Sequence, residues 1–403
     1  MQNYDQIEAE CPSDINSLGP WKDGPEKDRL VNAYFWLDGV VRCSIACIGI
    51  MGNIVTIIIF SSKELRSTFH IFLVVLAWFD LGYLFLTLLE EIPQMQDIVS
   101  QGTTYPDPKC NLNIVWVYLY PLFIHPLQYV FLTASEYFTM VISIDRFIAI
   151  KYPLRYYYSR RHHASTYDNN FLDQHRSKNR NNKRKKVEAI SIDCRRVLIY
   201  SVSVFVFSLF YCIPVFFEYE SIPPTEKMNG TINETTMVKS EAYAIGYYIV
   251  LDCLCRFVLP VCVLLYTNYG IYKIVARQPR VTNMSDAASQ RRAQNFMLFG
   301  VVFLLMIVHA YRFGLNMYQI PINEELKKCG KDARNQIIHI IAYLLLTLNC
   351  SGNCFVYLAT SKRFRKVALR YYQSIGIMFI ALSLFLYFLN VILGIESLFE
   401  KRK

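Results

Sequence analysis

The chain has 403 residues, of which 53% are hydrophobic and 18% charged, with a formal net charge of +10. That balance is too apolar for a soluble protein of this size. The positive charge is confined to particular loops, which excludes a nucleic-acid-binding surface.

Residues 1–35 carry seven acids and three bases. They read as an amino-terminal segment outside the membrane. The first ten residues are polar and acidic, so no cleaved signal peptide is read and the first helix does the targeting. Seven apolar runs follow, each near the ~20 residues that cross a bilayer core. They are Trp36–Phe60, His70–Leu89, Tyr118–Ile144, Val197–Phe217, Ala244–Tyr269, Asn295–Asn316 and Ile337–Leu358. Backbone groups in lipid must be satisfied within their own segment, so the runs are expected to be helices. The fold class is an all-α membrane protein, a seven-helix transmembrane bundle over residues 36–358.

Between the third and fourth runs, Lys151–Arg196 holds thirteen Lys and Arg against four acids. Its inner part, residues 156–193 with "HRSKNRNNKRKK", is too polar to bury a core and is expected to be disordered. Lys273–Arg292 and "SKRFRKVALR" are also basic, whereas Glu218–Ala242 carries five acids and two bases. Loops of alternating sign place the basic side in the cytoplasm and the amino terminus outside. Gln319–Gln336, slightly basic, is the exception. Two glycosylation acceptors, Asn229 and Asn233, fall on the outer side, and a third match at Asn283 falls inside.

After the seventh run, residues 359–373 read as an amphipathic juxtamembrane helix. Residues 374–403 hold an eighth apolar run, Ile375–Ile395. An eighth span, a re-entrant anchor and a sequence error compete for it; a hydrophobic helix lying against or in the bilayer is favoured. Most of the twelve cysteines lie in the apolar runs as packing residues. Cys11, Cys110 and Cys329 face the oxidising side, where one pair can bridge; the sequence does not choose which.

Polar residues inside the runs should face one another. Asn53, Asp80, Ser135, Asn349 and Asn353 are expected to cluster at the bundle centre. Asn349, Asn353 and Tyr357 recur every fourth residue and share a helical face. In "SIDRFIAIKYP" an acid and a base, Asp145 and Arg146, end the third run. Glu136 lies inside that run with no assigned role. Asp252 and Arg256, four apart, are expected to pair with each other.

The order Gly52-Asn53, Leu76-Ala77 with Asp80, Asp145-Arg146-Phe147, Pro260, and Asn353 with Tyr357 resembles the rhodopsin-like G-protein-coupled receptors. "YPLFIHPLQYVFLTASEYFTMVISIDRFIAI", "PVFFE", Pro260 with Asn268, and "LNCSGNCFVYLATSKRFR" resemble the invertebrate FMRFamide-type neuropeptide receptors, from Trp36 to Arg370. The resemblance implies a plasma-membrane receptor for an extracellular neuropeptide that activates a heterotrimeric G protein. It implies no enzyme activity and no cofactor, with a sodium ion as candidate occupant of the central cluster. Asp145, Arg146, Asn268 and Tyr357 would carry activation and coupling. The sixth run has no acid near Ser289, so Asp145 is expected to be the main restraint on Arg146. Ile307 and His309 stand where the family has a Trp and a Pro, Cys354 replaces the Pro of the seventh-helix motif, and the fourth-helix Trp is missing. No cysteine lies between Cys212 and Cys253, so the family's bridge to the second outer loop cannot form.

The resemblance also excludes ligands. Gln128 stands where an amine receptor has an acid, and Thr347 where an opsin has its lysine. Candidate ligand contacts are Glu90, Glu91, Gln128, Asp252, Arg256, His309 and Arg312. A carboxylate pair at Glu90 and Glu91 suits a peptide arginine. The alternatives are a receptor for a non-peptide ligand and, less favoured, a transporter or channel; no inverted repeat supports a transporter.

The topology has a direct test. Endoglycosidase should increase the mobility of the protein on a gel, and the shift should vanish in the Asn229→Gln/Asn233→Gln double variant. A glycan at Asn283 would reverse the orientation.

Overall fold

The computed structural model describes residues 32–62, 65, 67–101, 117–153, 178–222, 231–238, 240–277, 295–311, 314 and 333–374. In chain order the helices are α1 (Tyr34–Ser61), α2 (Thr68–Gln101), α3 (Val117–Lys151), α4 (Lys178–Tyr211), α5 (residues 241–277), α6 (Asn295–Tyr311), α7 (Ala333–Thr360) and α8 (Lys362–Ser374). Helices α1 to α5 and α7 each contain a span long and apolar enough to cross a membrane; α6 is apolar and is described over a shorter length. Two short strands, β1 (Tyr219–Ile222) and β2 (Thr231–Glu234), form an antiparallel hairpin between α4 and α5. This is the seven-helix bundle that hydropathy leads one to expect.

Large apolar side chains point outward as well as inward. Trp78, Phe85, Phe210, Tyr269 and Phe303 are all exposed, as lipid-facing side chains should be. Inside, one apolar core draws on every helix: Phe60 from α1, Phe72 and Leu76 from α2, Phe138 from α3, Val204 from α4, Leu264 from α5, Leu298 and Leu305 from α6, Tyr357 from α7 and Phe364 from α8. The last explains the pattern of α8. Phe364 and Val367 are buried while Lys362, Arg363, Lys366 and Arg370 are exposed. Arg365 donates to the carbonyls of Leu358 and Ala359 at 2.7 and 2.8 Å, and so satisfies the open end of α7.

Several element ends differ from expectation. The fourth run stops as a helix at Tyr211 and continues as a 3-10 turn, Ile213–Phe217, because Pro214 cannot extend an α-helix. The basic insert is not wholly irregular: α4 begins at Lys178, with neither Gly nor Pro before Tyr211. Its polar first turns carry on the apolar helix that follows. Residues 154–177 and the eighth apolar run lie outside the described residues, as do Cys11, Cys110 and Cys329. The other nine cysteines are free thiols.

Among the described residues, three helices contain π turns. In α5 they cover Ala244–Leu251 and Cys253–Val258. The second has a chemical consequence. In π register the carbonyl of Cys255 would accept from residue 260, but Pro260 has no N–H. The Tyr137 hydroxyl of α3 donates to that carbonyl instead, at 2.8 Å. The freed acceptor thus becomes a tie between two helices.

Close approach of α1 and α7 depends on Gly49. A Cβ there would lie 2.1 Å from Ser351 Oγ, which donates to the Ile45 carbonyl at 3.1 Å. Gly49→Val should destabilise the bundle by about 1–3 kcal/mol through overpacking. A fall in the melting temperature of the solubilised protein would register it. Gly246→Val, with open space around it, should leave that temperature unchanged.

Candidate functional site

The polar residues of the runs meet at three levels. At the centre, Ser135 of α3 donates to Asp80 Oδ1 at 2.6 Å and Asn353 of α7 donates to Asp80 Oδ2 at 2.7 Å. Asn53 of α1 reaches the Cys350 carbonyl at 3.0 Å instead of Asp80 itself. Asn349 is buried on α7, one turn before Asn353. All five are buried, and Asn53 Oδ1 and Asn353 Oδ1 have no hydrogen-bond partner. The Ser135 and Asn353 donors to Asp80 are both neutral.

At the α8 end, Asp145 is shared. Arg146 Nη2 donates to its Oδ2 at 2.7 Å and Arg196 Nη2 of α4 donates to its Oδ1 at 2.6 Å. Adjacent helix residues do not normally face each other; the long Arg146 side chain folds back, with its guanidinium 5.0 Å from the centre of the Phe69 ring. Asp145 and Arg146 thus meet directly. Arg196 was not singled out, because it lies 51 residues away at the edge of a basic loop that reads as solvated. Asn268 of α5 donates to Ser143 Oγ at 3.2 Å, two residues from Asp145. Tyr357 is buried among aromatic rings, 5.3 Å from Phe60 and 5.9 Å from Phe364.

At the hairpin end, Arg42 of α1 is the hub. Its Nη1 donates to Asp38 Oδ1 at 3.0 Å and to Glu91, its Nη2 lies 3.4 Å from Glu90 Oε2, and its Nε donates to Thr347 Oγ1 at 3.3 Å. The guanidinium stands over the Tyr343 ring at 5.1 Å. Arg42 is 2% exposed. Glu91 is therefore paired within the protein. Glu90 also accepts from Gln128 at 2.9 Å and from Tyr120 at 3.4 Å. Sequence reasoning missed Arg42 and Asp38. The signal was present: an acid and a base four residues apart inside an apolar run.

Glu218 does not join this set. It pairs with His125 at 3.1 Å and accepts from Tyr243 at 2.8 Å. Asp252 and Arg256 pair at 3.3 Å, and Arg256 also donates to Thr133 at 2.7 Å and faces the Tyr129 and Tyr211 rings. His309 of α6 meets Glu136 of α3 at 3.4 Å. Arg312 and Asn229 lie outside the described residues. Asn233 is on β2, opposite Glu220.

The chain matches the family 7 transmembrane receptor (rhodopsin family) over residues 52–167 and 187–357. It is 24% identical over 340 residues to the FMRFamide receptor of Drosophila melanogaster, covering 83% of this chain and 53% of that protein. It is 23% identical over 328 residues to the FMRFamide peptide receptor frpr-18 of Caenorhabditis elegans, covering 80% of this chain and 66% of that protein. The chain thus spans little more than half the length of the first relative. The family consists of receptors, not enzymes. A match over more than half of the chain, laid on a helical bundle in which Asp80 ties α2 to α3 and α7, leads to one conclusion: the chain belongs to the rhodopsin family of seven-transmembrane receptors.

Proposed function

We propose that this receptor binds an extracellular FMRFamide-like neuropeptide and activates a heterotrimeric G protein at the plasma membrane, its amino terminus outside. Similarity to two FMRFamide receptors supports the peptide class. The observation that carries the chemistry is the charge at the hairpin end. Asp38, Glu90 and Glu91 share the single guanidinium of Arg42. A further cation would balance that site, and the arginine of an Arg-Phe-amide peptide supplies one. Glu90 is the acid for it: its contact with Arg42 is long and its other donors are neutral.

Screening amidated peptides on cells expressing the receptor tests the reading. A charge-assisted hydrogen bond contributes about 1.5–3 kcal/mol, so Glu90→Gln should lower agonist potency by roughly ten- to a hundredfold. A peptide with citrulline for arginine should lose potency on the wild type and little further on Glu90→Gln. Glu91→Gln should act differently, reducing surface expression, because it breaks a buried pair. Wild-type responses from Glu90→Gln would show that the peptide's charge is read elsewhere.

For coupling, the reading is that Asp145 holds Arg146 away from the G protein until agonist shifts the population, with Asn268 and Tyr357 supporting the same end of the bundle. Asp145→Asn should raise basal signalling and Arg196→Ala should raise it by a smaller amount, at matched surface expression. Arg146→Ala should abolish coupling and leave peptide binding intact. Unchanged basal signalling in Asp145→Asn would remove the lock. At the centre, the buried Asp80 carboxyl calls for a proton or a small cation. The oxygens of Asp80, Ser135 and Asn353 are of the type that suits sodium.

A further inference from the structure

Toward the α8 end, α3 and α5 leave a groove of about 440 Å³ between them. Phe147 and Ile148 line it from α3, Cys262 and Tyr266 from α5. Ile148, Cys262 and Tyr266 are exposed, so the groove opens on the outer face of the bundle, towards lipid. Thr267 also lines it but is buried, and its hydroxyl is turned to Ser143 Oγ at 2.7 Å and the Val263 carbonyl at 2.8 Å. That leaves the groove itself apolar. Phe147 packs on Gly270, one turn beyond Tyr266, where a Cβ would overlap its ring, and meets the Tyr266 ring edge-on at 5.5 Å. Water in such a groove would find few partners, and an empty groove would forfeit contacts on both sides, so a hydrocarbon chain suits it. A cation stands at the α8 end of the groove. Lys151, one turn after Phe147, is exposed and holds its ammonium over the Phe147 ring at 5.0 Å and the Tyr152 ring at 5.2 Å. Arg146 and Arg196 at this end are taken up by Asp145. Among the described residues no carboxylate pairs with Lys151.

We propose that this groove binds one anionic phospholipid, with an acyl chain between α3 and α5 and the headgroup phosphate on Lys151. One molecule meets both requirements. Lys151 lies ~4.5 Å beyond Ile148 along the helix axis. A phosphate on Lys151 therefore sets the start of the chain level with Ile148, and the chain runs past Tyr266 to Cys262, away from the α8 end. A lysine at the bilayer surface attracts anionic lipid, whereas a zwitterionic lipid carries its own ammonium beside the phosphate and gains less. The bound chain covers Thr267 and so shields the Ser143–Thr267 tie between α3 and α5 from the bilayer. The proposal needs only that the chain lies in a membrane; neither the peptide nor the G protein enters.

Photocrosslinking tests it. The full chain is placed in phosphatidylcholine nanodiscs with a trace of phosphatidylserine that carries a diazirine in one acyl chain, irradiated, and mapped by peptide mass spectrometry. Labelling is expected within Ile144–Ile148 and Cys262–Thr267, and unlabelled phosphatidylserine should compete for it. The same diazirine on phosphatidylcholine should label these segments about fivefold less. Glycerophosphoserine, the headgroup without chains, should not compete. Lys151→Gln should lower the phosphatidylserine signal to the phosphatidylcholine level, and Lys151→Arg, which keeps the charge, should retain it. Cys262→Trp fills the groove from an exposed position and should remove the labelling of Ile144–Ile148. Equal labelling by the two lipids means that the groove holds bulk lipid only and overturns the proposal. Absence of label from both segments, competition by the headgroup alone, or an unchanged signal in Lys151→Gln overturns it as well.

Discussion

The carboxyl of Asp80 joins α2 to α3 and α7 through Ser135 and Asn353. Lipid offers no hydrogen-bond partner, so a polar side chain in a span must find one inside the bundle. This constraint sets the rest of the arrangement. It turns the polar faces of α1, α2, α3 and α7 towards one another and leaves Trp78 and Phe85 facing outward. It also lets the apolar core run continuously from Phe60 to Phe364, because polar groups are gathered at a few points instead of scattered through it.

Charges follow the same rule more strictly. Arg42, Arg146, Arg196 and Arg256 each meet a carboxylate, and three of the four pairings involve an acid or base that serves more than one charged partner. Removing one member of a buried pair typically costs about 3–5 kcal/mol. Among the described residues, Asp38, Glu90 and Glu91 meet the one guanidinium of Arg42, whereas Asp145 meets the two of Arg146 and Arg196.

Backbone irregularity is concentrated where the helices are tied. The π turn before Pro260 frees the Cys255 carbonyl, and Tyr137 takes it up. A π turn near the start of α3, Tyr120–Ile124, contains Pro121 and precedes Pro126, and it lies where Tyr120 and His125 meet Glu90 and Glu218. Regular α-helix at either place would rotate these side chains away from their partners.

Composition and hydropathy alone were enough for the seven helices, because a bilayer imposes one length and one solvent on every span. They were also enough for the Asp80 cluster and the i,i+4 pair of Asp252 and Arg256, since depth and helical period can be read along one chain. Which acid each distant arginine takes was decided only by packing. Arg42 and Glu91 lie 49 residues apart, Arg196 and Asp145 lie 51 apart, and Glu136 and His309 come from helices three and six. No periodicity links such positions: their meeting depends on how each helix is rotated about its axis. That rotation is set by contacts such as Gly49 against Ser351 and by π turns that hydropathy does not register.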